Sequence, residues 1–311
     1  MKSISSILVV IDRGPAAADA VAKAVHLAES FGAKIELFMC EGEKAYALSQ
    51  AYVPTGVDEA RRSCIESAHH YLENLRRSLG SKRVPITIDA QCESPLYESI
   101  VRKVMREKPD LVIKCGSAVS GRAKAGFDAT DWQLMRTCPA ALMLTRGRPW
   151  ASPPRFAAAV DVSGSESAGF AQHIAQDARL LADGSGGSLE ILYAESPDLG
   201  DEEREAGSKT LEALAVSVTG SATGSRTLAG NPEVSLPVFA RRHDYDAVVL
   251  GALTHRQGVT AQVGTLTSRL VDALECDFIL VKPHAYRSPI ADLARPVQHG
   301  GPASSNWTTG A

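Results

Sequence analysis

The chain has 311 residues, of which 44% are apolar and 22% charged, and its formal net charge is −3. This composition is typical of a globular protein with about two domains. A chain without net positive charge is not expected to bind nucleic acid through broad electrostatic attraction. Its longest apolar runs are strand-sized, whereas a membrane-spanning helix needs roughly 20 apolar residues. We therefore expect neither a nucleic acid nor a membrane as a partner.

The first half alternates strand and helix patterns. It opens with the apolar run 7–11, typical of a strand buried on both faces, and residues 17–31 repeat apolar residues at helical spacing. Further strands are predicted at 35–39, 84–88, 111–113 and 140–144, and further helices at 58–79, from 95 to about 108 and at 131–136. Such alternation predicts a parallel sheet with helices on both faces.

The same order recurs in the second half. Its first apolar run, 156–160, ends in Asp161, just as the first run of the chain ends in Asp12. Further strands are predicted at 189–193, 246–250 and 276–281, and helices at 168–181, from 232 and at 266–274. Each landmark recurs about 140 residues later, and matching order with small insertions is typical of a duplicated domain.

We therefore predict two tandem α/β domains, each an open, Rossmann-like sheet of five parallel strands with helices on both faces. The predicted domains are residues 1–147 and 155–289. Residues 148–154 are the predicted linker, because this stretch is rich in prolines, which break both helix and strand. Residues 290–311 lose the alternating pattern and are predicted to form a disordered tail.

The six cysteines are scattered along the chain, and none of them forms a CxxC pair. That spacing is the usual sequence signature of a zinc site or a redox pair. Without it, the sequence predicts neither kind of site. The cysteines are instead typical of buried free thiols in a protein of the reducing cytoplasm.

One segment of the second half has the features of an anion-binding site. Gly251 follows the fourth strand, and Gly264 and Thr265 precede the last predicted helix. Glycine lets backbone approach a ligand closely, and a helix N-terminus favours an anion through its free N–H groups and its dipole. Ligands of open parallel sheets bind beyond the carboxyl ends of the strands, so Asp161 is expected nearby, as an acceptor for a base or a ribose. The alternative is two glycines in a turn and an ordinary helix cap.

The other polar groups near this edge suggest how an anion would be held. The Thr265 hydroxyl and the N–H groups of Thr265 and Leu266 would bind phosphates, and His255 or Arg256 would add positive charge. Ser163 follows the first strand of this half. A helix cap is the favoured interpretation of Ser163, and contact with a ligand is the alternative.

This segment resembles the nucleotide-binding pattern of the universal stress protein family: glycine, two residues, glycine, nine residues, glycine, then serine or threonine. Gly251, Thr254, Gly264 and Thr265 fall at the four named positions, with Thr254 in place of the second glycine. The duplicated layout and the two strand-end aspartates strengthen the resemblance to tandem members of the family. The residues assigned to the ligand are Asp161, Ala194, Gly251, Thr254, His255, Arg256, Gly264, Thr265 and Leu266.

The resemblance also implies a function. It implies a cytoplasmic stress-response protein that helps cells to survive stress such as DNA damage. It implies ATP as the ligand, alone or with Mg²⁺, and a pairing of the two domains with each other through the last strand. The resemblance is also compatible with a homodimer of the whole chain.

The first half departs from the nucleotide-binding pattern. Cys115 aligns with Gly251, and the pair Asp128-Ala129 aligns with Gly264-Thr265. Two like charges 4 Å apart repel each other by about 4 kcal/mol at an effective dielectric constant of about 20, so Asp128 would repel a phosphate. We predict that the first half binds no ATP and is the structural partner of the second half. A different ligand for the first half is the alternative.

Three classes of function remain. The leading class is a stress-response protein that binds an adenine nucleotide in its second half. The second is an interaction scaffold whose nucleotide site has decayed at Thr254. The third is a weak ATPase, for which Asp161 and His255 are the only candidate bases for water. We expect a binding protein rather than an enzyme, without catalytic or metal-ligating residues.

Overall fold

A computed structural model describes residues 1, 3–14, 16–42, 47, 57–80, 83–116, 127–164, 169–252 and 265–293. The elements of the first half are β1 (Ser6–Val10), α1 (Ala16–Phe31), β2 (Lys34–Cys40), α2 (Val57–Leu79), β3 (Ile86–Gln91), α3 (Leu96–Glu107), β4 (Leu111–Cys115), α4 (Ala129–Thr137) and β5 (Ala141–Thr145).

The elements of the second half repeat that order. They are β6 (Arg155–Ala159), α5 (Phe170–Gly184), β7 (Ser188–Glu195), α6 (Asp201–Thr219), a 3₁₀ turn (Ala222–Gly224), β8 (Ser225–Ala229), α7 (Pro232–Arg242), β9 (Ala247–Gly251), α8 (Thr265–Ala273), β10 (Asp277–Val281) and α9 (Ile290–Leu293). The sequence pattern predicts no element between residues 194 and 230, where α6, the 3₁₀ turn and β8 lie.

The strands described by the structure form one ten-stranded sheet in the order β3-β2-β1-β4-β5-β10-β9-β6-β7-β8. All pairings within each half are parallel, which confirms the predicted α/β class and five parallel strands in each half. The two halves meet where β5 pairs antiparallel with β10, with Ile279 opposite Met143.

Helices cover both faces of the sheet, because the strands bury apolar side chains on each side. On one face, buried residues of α1, α2, α5 and α6 share a core with alternate strand residues such as Ile113 and Val249. On the other face, buried residues of α3, α4, α7, α8 and α9 pack on the intervening strand residues, such as Val112 and Val248. Among the described helices, none is both long and apolar enough to cross a bilayer.

A buried ion-pair cluster connects the two halves. The Nζ of Lys23 on α1 lies 2.6 Å from the carboxylates of both Asp19 and Asp277, and Asp277 begins β10. Asp277 also accepts hydrogen bonds from the Arg146 backbone N–H, at 2.7 Å, and from the Trp150 indole, at 2.8 Å. Lys23 is 3% exposed and Asp277 1% exposed, so these charges are compensated within the protein rather than by water.

Several predicted element ends differ from the structure by a few residues, and two of these differences have a clear physical reason. The third helix begins at Leu96, with Pro95 as its N-cap, because Pro95 has extended rather than helical dihedral angles. Residues Ile290–Leu293, which the sequence pattern places in the tail, form the short helix α9. Ile290 is 3% exposed within the apolar core of its face. The folded part of the second half therefore extends past residue 289, because the Ile290 side chain is buried in this core.

Candidate functional site

A cavity of about 250 Å³ lies at the carboxyl ends of β6, β7 and β9. Strands β6 and β9 are neighbours, and the chain leaves β6 toward β7 on its other side. This is the topological switch point, where open parallel sheets bind their ligands. The residues that line the cavity are Ala159, Val160, Asp161, Ser163, Tyr193, Ala194, Ser196, Leu199, Pro232, Leu236, Leu250, Gly251, Leu266, Thr267 and Leu270.

The structure brings four of the predicted ligand residues together around this cavity: Asp161, Ala194, Gly251 and Leu266. Thr265 is the first residue of α8, so the predicted helix N-terminus faces the same edge of the sheet. The predicted residues Thr254, His255, Arg256 and Gly264 lie outside the described residues.

Asp161 is the acidic group of the cavity lining. Its carboxylate accepts a hydrogen bond of 2.8 Å from the Ser163 backbone N–H. Burial raises the pKa of the neighbouring Tyr193, and the negative charges of Asp161 and Glu195 raise it further. A carboxylate has about four acceptor positions, so Asp161 can also accept hydrogen bonds from the N–H or O–H groups of a ligand.

Ser163 is not the helix cap that the sequence favours. Helix α5 begins at Phe170 with Gly169 as its N-cap, so Ser163 does not cap it. Ser163 lines the cavity instead, as in the alternative interpretation. The serine lies several residues before the helix because the connection after β6 is longer than a simple strand-to-helix turn.

The inner wall of the cavity is apolar. Leu236 of α7, Leu250 of β9 and Leu270 of α8 line it, and a small, wholly apolar space continues below them between the sheet and the two helices. Flat apolar walls suit the face of an aromatic ring. Leu236 and Leu270 are not predicted as site residues, because apolar residues at helical spacing carry no signal that separates the wall of a binding site from ordinary core.

Gly251 has a packing role that the sequence did not show. A Cβ at this position would lie 2.6 Å from Phe170 Cε1 and 3.3 Å from Ile174 Cδ1, both on α5. The glycine therefore lets α5 pack directly on the end of β9. Close approach of a phosphate is not needed to explain a glycine at this position.

Replacing Gly251 with alanine is expected to lower the free energy of unfolding by about 1–3 kcal/mol, the usual effect of overpacking a core. The Gly251→Ala, Phe170→Leu double variant removes the ring that the new methyl group would meet. We expect the double variant to lose less unfolding free energy than the sum of the losses in the Gly251→Ala and Phe170→Leu single variants. Purely additive effects in urea unfolding would contradict this explanation of the glycine.

The equivalent place in the first half is filled by a lysine. Lys114 aligns with Leu250, and its Nζ lies 2.8 Å from the carboxylates of both Asp12 and Asp131. Asp12 is the counterpart of Asp161, and Asp131 is the counterpart of Thr267. Lys114 is 1% exposed and Asp131 0% exposed. Each half thus has an aspartate after its first strand, and in the first half this aspartate pairs with Lys114.

The charges of this lysine cluster stabilise one another. Burial opposes the charged form of Lys114, but the carboxylates of Asp131 and Asp12 outweigh it and raise the pKa of the lysine. Burial raises the pKa of Asp131, and the charge of Lys114 opposes that rise. Lys114 therefore supplies to Asp12 the hydrogen-bond donors that a bound ligand would otherwise supply.

Cys115 and Asp128 also have structural roles in the first half. The Cys115 thiol is buried and lies 3.8 Å from the Thr145 carbonyl oxygen. Asp128 is the N-cap of α4: its side chain accepts a hydrogen bond from the Asp131 N–H, and the Asp131 side chain accepts one from the Asp128 N–H. The carboxylate at this helix start is thus already used for capping.

Comparisons with known proteins agree with this architecture. The universal stress protein family matches residues 4–146. Universal stress protein E of Escherichia coli K12 is 23% identical over 313 residues, which cover 93% of this chain and 98% of that protein. Its homologue in Haemophilus influenzae is 22% identical over 300 residues, covering 89% of this chain and 97% of that protein.

Solved structures show the same fold. A protein of unknown function from Pseudomonas aeruginosa PAO1 superposes with a TM-score of 0.72 at 22% identity, covering 91% of this chain and 94% of that one. A universal stress protein from Archaeoglobus fulgidus superposes with a TM-score of 0.68 at 12% identity, covering 89% and 98%. The first half therefore matches the universal stress protein family, and the chain is similar to universal stress protein E along both halves.

Proposed function

We propose that the second half binds an adenine nucleotide, ATP, in the cavity beside Asp161, and that the first half is its non-binding structural partner. In this proposal the functional units are residues 1–147 and 155–289, joined by residues 148–154. The pairing of β5 with β10 and the Lys23–Asp277 ion pair support a fixed arrangement of the two units.

The cavity suggests how the nucleotide would lie. The base would pack against the apolar wall formed by Leu236 and Leu250, and the Asp161 carboxylate would accept hydrogen bonds from its N–H groups or from the ribose. The phosphates would lie toward the start of α8 at Thr265, where the backbone N–H groups and the helix dipole favour an anion. Mg²⁺ would accompany the phosphates.

The contrast between the two halves carries the proposal. In the first half, Lys114 and Asp131 occupy the switch point with a buried ion pair. In the second half, the aligned residues are Leu250 and Thr267, and a cavity lies there instead. The Thr267 hydroxyl lies 3.2 Å from the Gly251 carbonyl oxygen, to which it donates. The second half therefore has space and an acceptor where the first half has its own cation.

The cellular role follows from the family. Universal stress proteins are named for the stress response, so we propose a role in stress resistance in the cytoplasm. Binding, rather than turnover, is proposed as the activity. Among the described residues that line the cavity, Asp161 is the acidic side chain, and it already accepts a hydrogen bond from the Ser163 N–H.

The proposal is tested by transferring the first-half cluster into the second half. The purified protein is denatured, and any released nucleotide is identified by chromatography and mass spectrometry. We expect about one ATP per chain from the parent protein and none from the Leu250→Lys, Thr267→Asp variant, because the new lysine fills the cavity and pairs with Asp161.

The control is the Leu250→Met, Thr267→Ser variant, which keeps both side chains neutral and similar in size. It is expected to retain the nucleotide. Thermal unfolding of both variants shows whether each has folded. If the parent protein releases no nucleotide and calorimetry detects no ATP binding, the proposal is wrong, and an interaction scaffold becomes the better description.

A further inference from the structure

Three of the six cysteines come together at one end of the β2–β3 pair, far from the nucleotide cavity. Cys40 is the last residue of β2, Cys92 follows β3, and Cys64 lies on the buried side of α2. The Cys40 thiol lies 3.6 Å from the Glu93 carbonyl oxygen, and the Cys92 thiol lies 3.7 Å from the Glu41 carbonyl oxygen. Sequence spacing does not predict this cluster, since its members lie at least 24 residues apart along the chain.

Within the cluster, Cys64 and Cys92 are direct neighbours. Burial raises the pKa of Cys92 to about 12, and its side-chain contact with the Cys64 thiol adds to the rise. Thiols that already touch need only a small shift to reach the S–S bond length of about 2.05 Å.

The two thiols differ in their exposure to small molecules. Cys64 is 7% exposed on a surface helix, whereas Cys92 is 2% exposed beneath it. Arg61, one turn before Cys64, makes an ion pair of 3.6 Å with Glu93 next to Cys92. A small oxidant would therefore reach Cys64 first.

We propose that Cys64 and Cys92 are an oxidation-sensitive pair that hydrogen peroxide converts into a disulfide. The Cys64 thiolate attacks one peroxide oxygen, the O–O bond breaks, and Cys64 becomes a sulfenic acid while one water leaves. The Cys92 sulfur then attacks the Cys64 sulfur, the S–O bond breaks, and a second water leaves with the thiol proton. Two thiols lose two electrons in total, and one molecule of hydrogen peroxide gains them.

The disulfide would tie α2 to the end of β3. It closes a loop that includes all of α2 after Cys64 and the whole of the edge strand β3. Closing such a loop restricts the unfolded chain and therefore stabilises this edge of the sheet. This pair belongs to the first half, so oxidation would act on the unit that the proposed function leaves without a nucleotide.

The test uses the full-length protein and hydrogen peroxide. After treatment the protein is denatured in an alkylating reagent, digested with trypsin without reduction and analysed by mass spectrometry. The expected product is a disulfide between the peptides 63–76, which contains Cys64, and 84–102, which contains Cys92. Treatment with a thiol reductant before digestion should return both cysteines to the alkylated form.

Two variants make the result specific. Cys64→Ser is expected to abolish the linked peptide, whereas Cys115→Ser, which removes a similarly buried thiol elsewhere in the first half, is expected to leave it unchanged. Thermal unfolding shows that both variants are folded. The proposal is overturned if the folded parent protein forms no Cys64–Cys92 disulfide, or if Cys40 replaces Cys64 as the partner of Cys92.

Discussion

Replacing Lys23 with methionine is expected to lower the free energy of unfolding by about 3–5 kcal/mol, the usual effect of removing one partner of a buried ion pair. Methionine fills a similar volume but leaves the Asp277 carboxylate buried without its cation. Because Lys23 lies on α1 and Asp277 begins β10, the lost interaction is one that connects the halves. Urea unfolding measured by circular dichroism gives the change in free energy.

The pH dependence of this loss of unfolding free energy shows whether the buried Asp277 carboxylate causes it. Burial raises the pKa of Asp277, and Lys23 opposes that rise, so Lys23→Met raises the pKa of Asp277 further. A carboxyl with a raised folded-state pKa favours folding below its unfolded pKa of about 4 and disfavours it as the pH rises. The difference between parent and variant should therefore be small near pH 4 and grow toward neutral pH.

The matched control is Lys209→Met, which removes an exposed lysine that pairs with Glu205 one helical turn away. Exposed pairs contribute about 0–1 kcal/mol, so this variant should unfold at nearly the same urea concentration as the parent protein. If Lys23→Met and Lys209→Met lose the same unfolding free energy at every pH, the buried cluster contributes no more stability than an exposed ion pair.

Replacing Lys114 with leucine is expected to have an effect of similar size, about 3–5 kcal/mol, for the same reason. The variant leaves Asp131, which is 0% exposed, without the ammonium group 2.8 Å away. The Asp12 carboxylate is destabilised less, because its side chain is 47% exposed and water can solvate it. The change in unfolding free energy is measured as before, in urea.

The Lys114→Leu, Asp131→Thr double variant copies the second half at both positions. It removes the buried carboxylate together with its cation, and replacing both partners of a buried pair by neutral residues is often neutral or stabilising. We therefore expect the double variant to recover most of the stability that Lys114→Leu loses. A double variant as unstable as the single one would mean that the loss comes from packing and not from the uncompensated charge.

The amino-acid sequence by itself determined the class and plan of this protein. Strand–helix alternation and its repetition after about 140 residues predict two five-stranded parallel sheets, which the structure joins through the antiparallel β5–β10 pair into one ten-stranded sheet. Four of the predicted ligand residues, Asp161, Ala194, Gly251 and Leu266, line one cavity. These features could be predicted because each depends on residues close together in the chain and on the rule that parallel strands end at one edge.

Only the tertiary structure decided how the residues of different elements are combined. Lys114 is a single charge in an apolar strand, and its sequence context does not reveal that Asp12 and Asp131 meet it. Gly251 is needed by the ring of Phe170, about 80 positions earlier in the chain, and Cys64 meets Cys92 across a helix and a strand. Such residues meet because each lies on a particular face of its helix or strand and because another element packs on that face. Local spacing in a single sequence does not show which elements pack on each other.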